Sequence, residues 1–189
     1  MTRHKRLGSL IILCCGLYWP SSTMSAEHSA EDTMVGLFGD ICIANMGRPE
    51  NVERWAIQQR LKPVTDAATL KAIAEGAVTH PGWQLEPEKD PRFVLSVRKN
   101  RYACVIWAKR SDPSLLRQFY LDTIKEIERA GFEVTKVHDE TREQGAIKRS
   151  VVIYRGGKGS SSPHFDLMLF TSDDPAAQMQ ASLQIWPTP

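Results

Sequence analysis

Two apolar runs, Phe93–Val97 and Tyr102–Ala108, flank the polar tetrad Arg98-Lys99-Asn100-Arg101. β-Branched and aromatic residues on both sides of a short polar break predict an antiparallel hairpin, and Asn tolerates the left-handed backbone such a turn needs. A two-residue turn at Lys99-Asn100 places Tyr102, Cys104 and Ile106 on the side of Phe93, Leu95 and Val97. A three-residue turn places Ala103, Val105 and Trp107 there instead. Both sets are apolar, so the hairpin is expected to be central, with helices over one side and partial cover over the other.

Upstream, Met34, Leu37, Phe38, Ile41 and Cys42 recur at the three-and-four spacing of a helix face, predicting a helix from Asp32 to Asn45 that Gly47 and Pro49 stop. Pro49 opens a second helix running to Gln59. Thr65 or Asp66 caps a third over Ala67–Ala77. His80 to Pro91, with three prolines, reads as a loop. Downstream, Asp112-Pro113 pairs an N-cap acid with a first-turn proline. Leu115, Leu116, Phe119, Tyr120, Ile124 and Ile127 then form one stripe of a helix closed by Gly131. Strand-like runs follow at Phe132–Val137, Ile147–Tyr154 and His164–Phe170, with a shorter one at Ser182–Trp186. The expected fold is α+β: N-terminal helices, then a β-β-α-β-β-β(-β) unit forming a single antiparallel sheet with helices packed on one face.

The first 26 residues change the charge picture. Arg3, His4, Lys5 and Arg6 precede an apolar stretch from Leu7 to Trp19 and a small, polar region ending at Ala26. This is the pattern of a Sec-type signal peptide, too short for a membrane span of about 20 residues. The expected products are a signal over residues 1–26, cleaved near Ala26, and a single domain over 27–189 that is periplasmic or secreted and carries no stable membrane anchor. Of the 24 basic residues, three leave with the signal, and the remaining 21 stand against 22 acidic residues. A net charge of −1 removes the global electrostatic case for nucleic acid.

Cys14 and Cys15 leave as well, so Cys42 and Cys104 remain. In an oxidising compartment such a pair is expected to form a disulfide, the alternative being two buried thiols.

Candidate chemistry is sparse. His164 and Asp166, two apart in a strand, share a face, where the acid can orient the imidazole for general-base work. His138 and His80, the other histidines downstream of the polar stretch 27–33, are the candidate partners of that pair. No third ligand stands at metal-site spacing, and no cofactor is expected. Gly156-Gly157-Lys158-Gly159-Ser160-Ser161-Ser162 resembles a phosphate loop in composition only: Lys158 is followed by Gly159, and a strand rather than a helix comes next. A flexible hairpin connection is the expectation there. Arg98, Lys99, Arg101, Tyr102, Trp107 and Lys109 gather at the ends of the hairpin as a candidate contact patch for an acidic surface or an anionic cell-envelope polymer.

The early helix with Cys42, the Gly82-Trp83 pair and the block FVLSVRKNRYACVIWAKRSD resemble a family of small exported proteins of proteobacteria to which no activity is assigned. The resemblance runs from about Leu37 to Gly131 and implies a periplasmic α+β protein without implying any functional residue. The functional expectation is a non-enzymatic interaction domain (an inhibitor, an immunity-type protein or an envelope accessory) whose partner is another envelope or periplasmic protein. The alternative is a small hydrolase or ligand-binding protein using His164 and Asp166.

Overall fold

The hairpin becomes the middle of a larger sheet because both of its faces are apolar and both must be covered. The computed structural model describes residues 29–45, 48–74, 82–85, 92–98, 102–159 and 163–188. Over these the order is α1 (Ala30–Leu37), a π-helical turn (Phe38–Ile43), α2 (Pro49–Gln58), α3 (Ala67–Ala74), β1 (Gly82–Leu85), β2 (Phe93–Arg98) and β3 (Ala103–Ala108). Then come α4 (Pro113–Arg129), β4 (Glu133–Gln144), β5 (Ile147–Gly157), β6 (His164–Ser172) and β7 (Ala181–Thr188). The seven strands form one antiparallel sheet in the order β1-β2-β3-β7-β6-β5-β4. The α+β class is as expected. No helix among the described residues is long and apolar enough to cross a membrane.

Neither hairpin turn is the one expected. Arg98 pairs with Ala103, so four residues, 99–102, connect the strands. The facing nevertheless matches the two-residue alternative: Val97 opposes Cys104 and Leu95 opposes Ile106. An even-numbered slip preserves side-chain direction. Cys104 therefore points to the same side as Leu95, where the π-turn presents Cys42. The two form a disulfide with Cα atoms 5.4 Å apart. The early helix was expected to stay α-helical to Asn45. Its second half winds instead with the i→i+5 pattern, Ala44 N–H donating to the Gly39 carbonyl. In that turn Phe38, Ile41 and Cys42 are all buried.

The helical face carries the main core. Met34, Phe38, Val52, Ala56, Leu116, Tyr120 and Ile124 pack on Leu95, Ile106, Leu167, Leu169, Leu183 and Ile185. The Tyr120 hydroxyl donates to the Leu167 carbonyl at 2.8 Å. Asp112 caps α4 by accepting from the Ser114 and Leu115 amides. Glu31, buried in the first turn of α1, accepts from the Asp112 amide and ties the two helices together.

The helices gather on this face as expected, α3 excepted. Ile73 of α3 and Val64 join Val94, Ala103, Val105, Trp107 and Met179 in a second cluster on the opposite side of β1–β3. Trp107 and Val105 would otherwise stand in water, which supplies the reason. The His80–Pro91 loop also needs correcting, since it contains β1. This strand is short, but its inner edge pairs with β2 and its outer edge is closed by Val64 and Gln84 amide bonds to Gly82 and Lys62.

Candidate functional site

A strand apolar at both parities buries both faces only where both are covered. β5 and β6 are apolar at both parities and are covered on one. Val152, Tyr154, Leu167 and Leu169 face the helices. The register then sets Val151 opposite Phe170, Ile153 opposite Met168 and Arg155 opposite Asp166 on the other side. None of the residues that β4, β5 and β6 present to that side belongs to either buried cluster. The result is an open face with a half-buried apolar ladder two strands wide. β4, the sheet's outer strand, borders it with His138, Glu140 and Arg142.

Two shallow depressions mark its ends. One, about 430 Å³, is lined by Glu140, Arg142, Gln144, Ile147, Arg149, Val151 and Phe170. The other, about 270 Å³, is lined by Glu133, Thr135, Val137, Arg155, Gly157 and His164. The charges on the rim are internally paired. Arg142 bonds Glu140 at 2.6 Å and holds its carboxyl below the usual range. Arg149 lies 3.5 Å from Asp174. Arg155 grips both oxygens of Asp166, at 2.8 and 2.9 Å.

That grip decides the His164–Asp166 question. The two residues do share the open face, level with Thr188 and Trp186. Asp166, however, is committed to Arg155 rather than to the imidazole. Among the described residues no hydrogen bond or ion pair joins His164 to a second titratable group. Its ring instead lies over β5: a Cβ added at Gly157 would come within 2.7 Å of His164 Cδ2. On the other face Phe165 lies over Gly156 in the same way, with 2.5 Å between its Cζ and such a Cβ. His164 and Phe165 thus cover two side-chain-free positions of the neighbouring strand. Gly156 and Gly157 correspondingly belong to β5, correcting their reading as part of a connecting loop; 160–162 lie outside the described residues.

His138 stands level with Ile153, four residues along the ladder from His164, with Nε2 3.4 Å from Glu140. The fold does not bring the two histidines together, and His80 lies outside the described residues. No group of three metal-ligating side chains occurs among the described residues.

The hairpin patch divides. Lys99 and Arg101 lie outside the described residues. Arg98 and Trp107 are only 6% and 3% exposed, which corrects their assignment to a contact surface. The Arg98 guanidinium sits 5.6 Å from the Trp107 ring centroid, and the Trp107 indole donates to Ser96 at 2.8 Å. Both belong to the second cluster's cover. Of the described patch residues, Tyr102 is exposed and Lys109 half-buried.

Sequence reasoning missed Arg155, Val151 and Phe170. The signal was present in Val151-Val152-Ile153-Tyr154, where four apolar residues in succession require two covers. In three comparisons, with family models, curated proteins and solved structures, nothing matches the chain.

Proposed function

We propose that this is an exported, non-enzymatic interaction domain that engages another envelope or periplasmic protein through the open face of β4–β6. The observation that carries the reading is the uncovered ladder of Val151, Ile153, Met168 and Phe170, bounded by internally paired charges. Half-buried apolar area with a polar rim is the composition of a protein interface. The export element rests on the basic and apolar pattern of residues 1–26, and the Cys42–Cys104 bridge fits an oxidising compartment. The interaction reading is preferred to the hydrolase alternative because Asp166 bonds Arg155 rather than His164.

The test compares wild type with Val151→Asp and Phe170→Asp in crosslinked capture from periplasmic extract, with thermal melting to verify folding. A stoichiometric partner held by wild type and lost from both folded variants is the expected result. A partner retained equally by all three moves the interaction elsewhere on the molecule.

A further inference from the structure

The two ends of the sheet are finished differently. β1 is closed on its outer side by the 62–64 segment, whereas β4 has no neighbour there. Among the described residues no backbone hydrogen bond from another segment reaches β4 from outside. The regular part of this edge is sharply bounded. From His138 to Gln144, seven consecutive residues pair with β5 without interruption. The register shift between Lys136 and His138 ends the stretch on one side, and the turn at 145–146 ends it on the other. All seven residues are exposed except Glu140, which is half-buried. The midpoint of the stretch is Thr141.

A charged edge refuses an arbitrary strand but admits one that carries the complementary charges. In a two-fold antiparallel pair, opposed residues share a face of the sheet, so the axis lies level with a residue rather than between two. An axis at Thr141 uses the whole regular stretch. Glu140 then stands opposite Arg142 of the second copy, Arg142 opposite its Glu140, and His138 opposite its Gln144. Glu140 and Arg142 also bond within one strand at 2.6 Å, so the four side chains close a ring of alternating charge. On the helical face Thr141 meets Thr141, a favourable cross-strand pair. Asp139 meets Glu143 there, but each acid brings its own cations: Arg117 and Lys136 on Asp139, Lys148 on Glu143. Moving the axis to Glu140 or to Arg142 sets Glu140 against Glu140 or Arg142 against Arg142. The register that uses the full edge is therefore also the one that matches its charges.

We propose that the outer edge of β4 pairs with the same edge of a second copy of this chain, two-fold about Thr141. The open face of β4–β6 stays free in such a dimer, so this inference does not rest on the interaction reading. The experiment is sedimentation velocity over a concentration series on the protein expressed from its full coding sequence, with thermal melting to verify folding. The expected result is a monomer–dimer equilibrium for the wild type. Glu140→Arg and Arg142→Glu each set like charges opposite one another and should weaken dimerisation roughly tenfold. An equal mixture of the two variants opposes unlike charges again and should recover the dimer as a heterodimer. A second measurement is independent of these variants: Thr141→Cys should be linked to itself by a short bismaleimide, whereas Glu133→Cys, far from the axis, should not exceed the wild-type control. A wild type still monomeric at roughly 1 mM overturns the assignment and leaves the edge to a strand of another protein. A dimer unweakened in both folded single variants, a mixture that associates no better than its components, or equal linkage of the two cysteine variants would each overturn it as well.

Discussion

β2 and β3 are buried along their whole length, whereas β4 is exposed along nearly all of its own, although all three belong to one sheet. The hairpin half is apolar at both parities and receives α1, the π-turn and α2 on one side and α3 on the other. β4 is polar at both parities beyond Val137, and of its residues only Val134 packs on the main core. Its charges, and a register shift between Lys136 and His138, also blunt an otherwise open sheet edge. β5 and β6 fall between these extremes: they have the side chains of a doubly covered pair and the cover of a singly covered one. A surface is most informative where side-chain composition and actual burial disagree.

The largest test of this contrast concerns the disulfide. Replacing both Cys42 and Cys104 with Ala should cost about 4 kcal/mol by loop entropy alone, read as a lower urea midpoint. A shift near zero would show that the doubly covered half holds without its staple.

Next is a matched pair of truncations. Leu95→Ala, in the doubly covered half, should cost about 2–5 kcal/mol. Val151→Ala, on the open face, should stay within about 0.5 kcal/mol. Equal costs in chemical denaturation would abolish the distinction between the halves.

Gly156→Ala probes where the two faces share one strand. Its Cβ would collide with Phe165, which cannot swing away because it is buried edge-on against Phe132. A loss of about 1–3 kcal/mol is expected, partly recovered when Phe165→Leu is added. No recovery would locate the strain in the backbone.

Tyr120→Phe is the smallest, costing about 1 kcal/mol for the bond to Leu167. Burial pushes the Tyr120 hydroxyl well above its usual range. Its folded pKa therefore exceeds the unfolded value near 10, so its stabilisation is complete below about pH 10 and is lost as pH rises further. The Phe variant should lack that alkaline decline; an identical decline in both proteins would assign it to other groups.

Much of the covered half was legible in the sequence. Asp112-Pro113 marks the start of α4, and the pairing of Cys42 with Cys104 follows from counting. Strands escaped where burial did not shape their composition. His138–Gln144 carries no alternation because an outer strand with two wet faces has none to show. Gly82–Leu85 is too short and too close to prolines to stand out. The π-turn leaves no spacing signature distinct from an α-helix over six residues. In the site, the shared face of His164 and Asp166 was legible from their spacing alone. The Arg155 grip was not, because it depends on a β5–β6 register that no local pattern specifies.

β7 is the last of the seven strands to be synthesised, yet it lies between β3 and β6. Among the described residues, β1–β3 and β4–β6 are joined by backbone bonds only through β7 and the adjacent Gln180, whose amide donates to Ala108 and whose carbonyl accepts from Ser172. Ile106 and Leu167 flank β7 from its two sides, so this eight-residue strand completes the sheet across both halves. Long-range closure of this kind is slow and leaves strand edges unpaired until it happens, so the edges of β3 and β6 that β7 occupies are the ones a shortened chain would expose.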